Sequence, residues 1–324
     1  MKQPILSIIV PVYNEEPHLP SFFSMLRRQT ISRESYEVIL SDGGSTDNTK
    51  EVAKKFGAIV VENSDKLAEP GVFHGVKLAK GSLVMVLATD NEFIDPQAIE
   101  KIVQVFDDAS IYAAFPKHDS LKTDTIWTKY YNTFSDPFTH VVYGFSANAR
   151  TFARAYKTIH SSSIYDIYDY TSNPVRPIIA LAQGMTIRSV CLQKRVEKDD
   201  DIVLLHQLIS EGKHIAYVHS VPILHHTVKN FSDMLKKFRR PVVNAFASKN
   251  IGLRKRTSSL THWQKVKILF YVPYSLSMKM PMLVAIGMAI YMKEMLWLMH
   301  PVVTYISAIV IIFETIKQLM RKKK

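Results

Sequence analysis

Two short polar segments follow predicted strands near the N-terminus and have residue types suited to binding. They are Pro11-Val12-Tyr13-Asn14-Glu15-Glu16 and Ser41-Asp42-Gly43-Gly44-Ser45-Thr46-Asp47-Asn48-Thr49. In the second segment, the two glycines permit close backbone approach, and the Ser-Thr-Asp run can cap a helix whose free N–H groups face an anion. Taken alone, the first segment is equally compatible with a helix cap and the second with a turn and a cap.

Regular elements must bring these segments to one place. Short apolar runs alternate with helical patterns along residues 6–115, and strands are predicted at Leu6–Val10, Tyr36–Leu40, Ala58–Val61, Leu83–Leu87 and Ile111–Phe115. This alternation predicts β-α-β units and a mostly parallel sheet. Ligands of such sheets bind beyond the carboxyl ends of the strands. We therefore expect Pro11–Glu16, Ser41–Asp47 and Ala88–Asp95 to line a site.

Composition and missing motifs exclude several classes of protein. Hydrophobic residues make up 47% of the 324 residues and charged residues 22%, which excludes a disordered chain. Cys191 is the single cysteine, so an internal disulfide and a zinc-cysteine cluster are impossible. The Ser41–Thr49 loop lacks the glycine spacing of dinucleotide-binding and P-loop motifs. No signal-peptide pattern follows Met1, which predicts a cytoplasmic N-terminal part.

Three motifs in order resemble family 2 glycosyltransferases of the GT-A fold. They are LSIIVPVYNEE, YEVILSDGGSTDNT and GVFHGVKLAKGSLVMVLATDN. The resemblance covers residues 4–115, and 180–240 to a lesser degree. Enzymes of this family transfer a sugar from a nucleotide diphosphate donor with inversion at the anomeric carbon. The resemblance implies a Rossmann-like GT-A sheet flanked by helices, and a nucleotide-sugar site formed by Pro11, Val12, Tyr13, Glu15, Asp42 and Gly43.

The Asp-x-Asp element of that family is altered here. In the family, two carboxylates at this strand end meet the donor diphosphate and its divalent cation, because a hard cation needs oxygen ligands. The matching triplet is Ala88-Thr89-Asp90, so the first carboxylate is missing. The resemblance then implies Asp90, with a neutral oxygen from Asn91 or Thr89, as the ligands of Mn²⁺ or Mg²⁺. Either the cation is held loosely or the donor site has been rebuilt.

An acidic run, Glu197-Lys198-Asp199-Asp200-Asp201, precedes a helical pattern that ends at Gly212. In the family, a Glu-Asp pair lies eleven residues before such a glycine, which implies Asp201 as general base with Asp200 in the Glu position. An acidic cluster that only complements a helix N-terminus is the simpler interpretation. The resemblance also places Gly184 beside the acceptor pocket.

Histidines and arginines follow a strand predicted at His214–Val218. The resemblance implies that His225 or His226 contacts the metal or the diphosphate, since an imidazole can partly replace a carboxylate. Two surface histidines are the alternative. Arg239 and Arg240, in an amphipathic segment at Phe231–Phe246, are expected to touch donor phosphates or lipid headgroups. The Gln-x-x-Arg-Trp motif of processive family members is absent there, which favours transfer of one or a few sugars.

The C-terminal part is basic and then apolar. Residues 229–267 contain eleven Lys or Arg and one acid, Asp233, and so carry +10 of the net +12. Residues 269–292 are mostly apolar, and residues 295–313 contain no formal charge. Nineteen residues at about 1.5 Å each nearly match the hydrocarbon core of a bilayer. We expect a membrane-spanning helix at 295–313, an interfacial or spanning helix before it, and an anionic membrane as partner. A buried core helix is the alternative.

These patterns together predict a domain plan. Residues 1–228 should form the GT-A domain, with the nucleotide-sugar half at 1–115 and the acceptor half at 116–228. A basic amphipathic juxtamembrane region should follow at 229–267, and membrane-attachment helices at 268–324. A nucleic-acid partner is disfavoured, because the basic region adjoins an uncharged segment.

The predicted function is an inverting hexosyltransferase of the cell membrane whose catalytic domain is cytoplasmic. It would move a sugar from a UDP- or GDP-sugar to a hydroxyl of a lipid-linked or glycolipid acceptor, in glycolipid or cell-envelope polysaccharide biosynthesis. Two alternatives stay open. A polyprenyl-phosphate glycosyltransferase, similar to dolichyl-phosphate mannose synthase, would need no strong base. A catalytically silent GT-A-like scaffold would be consistent with Ala88.

Overall fold

Ten strands form one sheet in the part of the chain that the structure, a computed structural model, describes: residues 3–134, 136–179, 183–192, 201–226, 228–246 and 259–322. The strands are β1 (Leu6–Val12), β2 (Tyr36–Asp42), β3 (Ile59–Glu62), β4 (Leu83–Leu87), β5 (Asn91–Phe93), β6 (Ile111–Asp119), β7 (Lys157–Ser161), β8 (Asp166–Asp169), β9 (Gln183–Arg188) and β10 (His214–His225). Their order across the sheet is β3-β2-β1-β4-β9-β6-β10-β8-β7, with β5 on β10.

Helices connect and follow these strands. They are α1 (Leu19–Arg27), α2 (Thr49–Lys55), α3 (Ala68–Leu78), α4 (Ala98–Gln104), α5 (Ile126–Phe134), α6 (Pro137–Tyr143), α7 (Phe152–Ala155), α8 (Ser189–Leu192), α9 (Asp201–Ser210), α10 (Phe231–Phe246), α11 (His262–Leu276), α12 (Lys279–Met292) and α13 (His300–Lys322). The chain divides into two compact units. The sheet unit comprises Met1–Asp119 and Phe152–His225, and the helical unit comprises Ser120–Thr151 and His226–Lys324.

The sheet is mostly parallel, as predicted. β3, β2, β1 and β4 run parallel to one another, and β10 is parallel to β6. β9 is antiparallel and lies between β4 and β6. Every residue of β4 is buried, which is typical of central strands that helices cover on both faces. The carboxyl ends of β1 and β2 lie side by side, because Val12 pairs with Asp42.

Several elements begin or end away from their predicted positions. α1 begins at Leu19 rather than Glu16, and α2 at Thr49 rather than Thr46. In the residues before these helices, the backbone N–H groups of Glu16, Thr46 and Asn48 bond side chains across the two loops. The predicted end of the last strand at Val218 is wrong. β10 passes an irregularity between Val218 and Pro222 and continues to His225.

The helical unit contains the apolar C-terminal segments. Met295–Arg321, 27 residues long, is long and apolar enough to cross a membrane. α11 and α12 meet that criterion only together, and a bend of 97° separates them. α13 packs against α10, α11 and α12. The buried apolar cluster of this unit includes Tyr130, Met234, Phe238, Met288 and Trp297.

Candidate active site

Asp42 organises the loop after β2. Its side chain is buried, and its Oδ2 accepts hydrogen bonds from the backbone N–H groups of Gly44 at 3.1 Å and Ser45 at 3.0 Å. Gly44 has a φ of +85°, which a residue with a side chain rarely adopts. The N–H of Gly43 donates to the carbonyl of Val12 at 2.8 Å. The predicted nucleotide-sugar residues Val12, Asp42 and Gly43 are therefore in one connected structure.

The loop after β1 is bonded to the loop after β2. The N–H of Asn14 donates to Ser45 Oγ, and Asn14 Oδ1 accepts from the N–H of Thr46, both at 2.8 Å. Asn14 has a φ of +54°, a conformation that asparagine tolerates better than most residues. Glu16 accepts from the backbone and side-chain amides of Asn48, both at 2.9 Å. These bonds join the two loops into one continuous wall at the carboxyl ends of β1 and β2.

Asp47 strengthens the same wall. Its carboxylate accepts from the hydroxyl and the N–H of Thr49 and from the N–H of Glu16. Burial raises the pKa of Asp47, but these hydrogen bonds outweigh burial and hold the pKa below its usual range. Asp47 is therefore ionised at neutral pH and accepts all three bonds.

Glu15 connects this wall to the loop after β4. Its Oε2 accepts from the hydroxyl of Thr89 at 2.6 Å and lies 2.9 Å from His18 Nδ1. Its N–H donates to Thr49 Oγ1 at 2.8 Å. The contact of Glu15 with a nucleotide-sugar stays a prediction; in the structure, Glu15 bonds the Ala88–Asn91 turn through Thr89. Tyr13, in the same loop, is exposed, and Pro11 is half-buried.

Asp90 projects from the turn that replaces the Asp-x-Asp element. The buried side chain of Asn91 accepts a hydrogen bond from the N–H of Ala88 at 3.0 Å, which closes the turn. The predicted metal ligand Asn91 thus has its amide oxygen engaged inside the turn. The Asp90 side chain is 39% exposed, so it is the carboxylate that this turn presents.

His225, the last residue of β10, lies beside Asp90. Its Nε2 is 3.4 Å from Asp90 Oδ2, and its Nδ1 is 3.1 Å from Gln183 Nε2. A carboxylate oxygen and an imidazole nitrogen this close fit two ligands of one divalent cation. For Nε2 to bind a cation, Nδ1 must carry the proton and the Gln183 amide must turn its oxygen toward it. Among the described side chains, no group of three or more His, Cys, Asp and Glu could hold a metal.

The remaining predicted residues have other surroundings. His226 belongs to the helical unit, where its Nδ1 lies 3.7 Å from Asp124 Oδ1. In the same unit, Arg239 Nε lies 2.9 Å from Oε2 of the buried Glu314, and Arg240 is exposed. These contacts provide Arg239 with an anionic partner within its own unit.

The predicted acceptor-side and catalytic residues lie on β9 and α9. Gly184 has a φ of +82°, and a Cβ there would come within 2.8 Å of Pro116 Cγ, so close packing requires glycine. Asp201 is the first residue of α9. Asp200 lies outside the described residues. The roles of these three residues stay predictions.

Two contacts in the site were not predicted from the sequence. One is that of Gln183 with His225, and the other is that of Thr89 with Glu15. Thr89 was considered only as a possible neutral oxygen, although its place beside Asp90 was visible. Gln183 has no local signal except that it precedes Gly184. It reaches His225 because Gln183 pairs with Leu87, at the end of β4, across an antiparallel register.

The matches to known sequences lie in the N-terminal half of the chain. The model of a family described as "Glycosyl transferase family 2" matches residues 7–165. Glycosyltransferase AglE of Haloferax volcanii is 30% identical over 93 residues, which cover 27% of this chain and 31% of that protein. A PGL/p-HBAD biosynthesis glycosyltransferase of Mycobacterium bovis is 30% identical over 108 residues, which cover 32% of this chain and 41% of that protein. The chain thus spans less than half the length of these relatives.

A solved structure is similar over nearly the whole chain. Mannosyltransferase PcManGT from Pyrobaculum calidifontis, in complex with GDP-Man and Mn²⁺, has a TM-score of 0.55 and 14% sequence identity. The alignment covers 97% of this chain and 88% of that chain. At this identity the likeness shows the shared fold, and the predicted GT-A architecture is confirmed.

Proposed function

We propose, from the premise that residues 7–165 belong to glycosyltransferase family 2, that this protein is an inverting, membrane-associated sugar transferase. Its donor is a UDP- or GDP-sugar, and its acceptor is a hydroxyl of a lipid-linked molecule at the cytoplasmic face of the cell membrane. The Asp90–His225 pair carries this proposal. The hydrogen-bonded loops after β1 and β2 and the exposed apolar side chains of the helical unit support it.

The pair lies where a donor diphosphate would be expected. Asp90 follows β4 and His225 ends β10, beside loops of the kind in which parallel sheets bind nucleotides. Asp90 and His225 are suited to hold a divalent cation, which when bound would neutralise the diphosphate leaving group. Gln183 orients the His225 ring, and Glu15 holds the Asp90 turn through Thr89. PcManGT, of the same fold, carries Mn²⁺ with GDP-Man, which supports this assignment.

Asp201 is the proposed general base. It would take the proton from the acceptor hydroxyl as the oxygen attacks the anomeric carbon and the nucleoside diphosphate departs. Asp201 lies on α9, the helix that precedes Gly212. A polyprenyl-phosphate acceptor would not need this step, because it is already an anion.

The side chains of α13 support membrane association. Thr304, Ser307 and Glu314 are buried, whereas Ile309 and Ile316 are exposed. Phe313 is 68% exposed. A helix at a water-facing surface buries its apolar face and exposes its polar one. The reversed arrangement is the one expected where lipid covers the helix and polar groups face other helices.

The proposal is tested by calorimetric titration of the detergent-solubilised full chain with UDP and with GDP, with and without Mn²⁺. We expect one nucleotide to bind, more tightly with Mn²⁺. Asp90→Asn and His225→Ala should each weaken the Mn²⁺-dependent part of nucleotide binding by at least about 10–100-fold, the loss that substitution of a mere outer-shell partner commonly causes. Asp107→Asn and His219→Ala, which change the same residue types elsewhere in the sheet unit, are the matched controls.

The alternative outcomes separate the candidate functions. Binding of one nucleotide without any effect of Mn²⁺ would contradict the cation role of Asp90 and His225. No binding of either nucleotide would refute the transferase and favour the silent scaffold that Ala88 suggests.

A further inference from the structure

A cavity of about 370 Å³ lies among the helices of the helical unit. Its size is within the range of roughly 300–1,000 Å³ typical of small-molecule sites. α6, α11 and α12 contribute most of its lining, which is largely apolar and includes His140, Lys267, Phe270, Tyr274, Val284 and Met288. Nothing in the proposed transfer reaction uses these residues.

Lys267 is the charged group of this lining. His140 is buried, and burial together with the nearby charge of Lys267 lowers the pKa of His140 to about 4. His140 is therefore neutral at physiological pH. Within the ranges that the structure describes, no acidic side chain pairs with Lys267. The cavity thus combines an apolar interior with a single uncompensated cation, which suits a ligand with one anionic group and a hydrocarbon body.

The surface around the cavity is apolar. On α11, Leu269 is 78% exposed, while Gln264 and Ser275 are buried. On α12, Leu283 and Ile290 are exposed. This is the same reversal of polar and apolar positions that α13 shows. A large exposed apolar surface is stable against lipid rather than water, so the cavity is placed where a lipid chain can enter it.

Lys267 is the sixth residue of α11, in the first half of that helix, where Lys265 also lies. A lysine near a helix end can bury its methylene groups and keep its ammonium at the level of lipid headgroups. The apolar lining contributed by Tyr274, Val284 and Met288 lies further along α11 and α12. The lining therefore supplies a headgroup partner and a chain pocket.

We propose that this cavity binds an acyl chain of an anionic glycerophospholipid of the surrounding bilayer, with the Lys267 ammonium paired to the lipid phosphate. The proposal rests on the membrane association described under the proposed function, but not on sugar transfer. Bound in this way, the lipid fills the space between α6, α11 and α12 and fixes the helical unit against the membrane surface.

Trp297 offers a probe beside the cavity. It is buried, and its ring centroid lies 4.9 Å from that of the lining residue His140. The chain has three tryptophans, so Trp127→Phe with Trp263→Phe leaves Trp297 as the single one. This protein, in neutral detergent, is titrated with phosphatidylglycerol whose acyl chains carry bromine, a contact quencher of tryptophan fluorescence. The neutral brominated phosphatidylcholine is titrated in parallel.

We expect saturable quenching of Trp297 by the anionic lipid at concentrations well below those needed for the neutral one. Lys267→Gln should raise the half-quenching concentration about fivefold, the effect of one lysine at an anionic surface. Lys265→Gln is the matched control, because two residues along a helix turn the side chain by about 200°. Val284→Phe should abolish saturation by filling the cavity, whereas Leu283→Phe, at an exposed position, should not.

Three results would overturn the proposal: equal quenching by the two lipids, equal effects of the two lysine variants, or no quenching of Trp297. Displacement of the brominated lipid by a polyprenyl phosphate at far lower concentration than by phosphatidylglycerol would also overturn it, because the cavity would then hold an isoprenoid. The titration contains no sugar donor. A protein that binds the lipid but transfers no sugar would refute only the transferase, and the reverse result only the lipid site.

Discussion

The central strands of the sheet unit and the helix α13 of the helical unit differ in which side chains they bury. In β1, Ile8, Ile9 and Val10 are completely buried, and polar groups gather in the loops at the strand ends. In α13, by contrast, Glu314 is buried and Phe313 is exposed. Apolar burial from water stabilises the first arrangement. The second gains from the hydrophobic effect only if lipid replaces water around it. The membrane association proposed above would therefore place the two units in different solvents.

This comparison implies a division of labour between the units. The hydrogen-bonded loops and the Asp90–His225 pair belong to the sheet unit, whereas the exposed apolar helices belong to the helical unit. Substitutions in the first should change binding and turnover while leaving membrane attachment intact. Substitutions in the second should do the reverse.

The largest expected effect is on catalysis. Asp201→Asn should reduce sugar transfer by about 10²–10⁴-fold, because general-base catalysis typically contributes that much. Turnover is measured with the nucleotide-sugar selected by the calorimetric titration, and membrane sedimentation is measured in parallel. Glu211→Gln, at the other end of α9, is the control.

Retention of near-normal turnover in Asp201→Asn would indicate an anionic acceptor such as a polyprenyl phosphate. Release of this variant from the membrane would contradict the division between the units.

The next largest effect concerns α13. Phe313→Glu should weaken membrane attachment by about 2.5–3.5 kcal/mol, because a carboxylate is costly inside the hydrocarbon core. If water surrounded Phe313, the same substitution at this exposed position would cost almost nothing. The fraction of protein extracted from membranes by alkaline buffer measures the difference, with Leu78→Glu, an exposed apolar position of the sheet unit, as the control. Equal extraction of both variants would show that water, not lipid, surrounds α13.

Sequence patterns predicted the two units unequally. The parallel strands and the apolar C-terminal helix were predictable because each has its own periodicity and composition. α10 begins at its predicted residue, Phe231. The continuation of β10 to His225 was not predictable, since Pro222 lies in the strand and marks an irregularity in its pairing.

The candidate site was predictable residue by residue only in part. The resemblance assigned Asp90 and either His225 or His226 to one metal, but the residue pattern did not choose between the two histidines, because the contact of His225 with Asp90 requires β10 and the turn after β4 to meet. Gln183 was not found, since its position depends on the antiparallel insertion of β9 between β4 and β6. Pairing between strands that are distant in sequence has no signature in the local residue pattern.

A smaller effect is expected where Glu15 holds the turn after β4. Thr89→Val removes the hydroxyl that donates to Glu15 Oε2 at 2.6 Å. The free energy of unfolding of the sheet unit should fall by about 1.5–3 kcal/mol, the usual value for one hydrogen bond to a charged group. Nucleotide binding with Mn²⁺ should weaken as well, because Asp90 loses its support. Thr123→Val, outside the sheet unit, is the control for thermal unfolding measured by circular dichroism. Unchanged Mn²⁺-dependent binding would show that Asp90 is positioned without Glu15.

The smallest expected effect is the pH dependence of the stability that comes from the hydrogen bonds between the first two loops. Asp47 has a pKa below its usual range in the folded protein, because hydrogen bonds from Thr49 and from the Glu16 N–H favour the carboxylate. Its contribution to stability is therefore fully present above the pKa of an unfolded aspartate, about 4, and is lost as the pH falls through the lower pKa of the folded state.

Asp47→Asn should lower the melting temperature of the sheet unit at pH 7 and have progressively less effect as the pH falls below about 4. The helical unit should show no such difference between the two proteins, since Asp47 belongs to the sheet unit. If Asp47→Asn lowers the melting temperature equally at pH 7 and at pH 3, the hydrogen bonds of Asp47 hold the loops equally well without the charge.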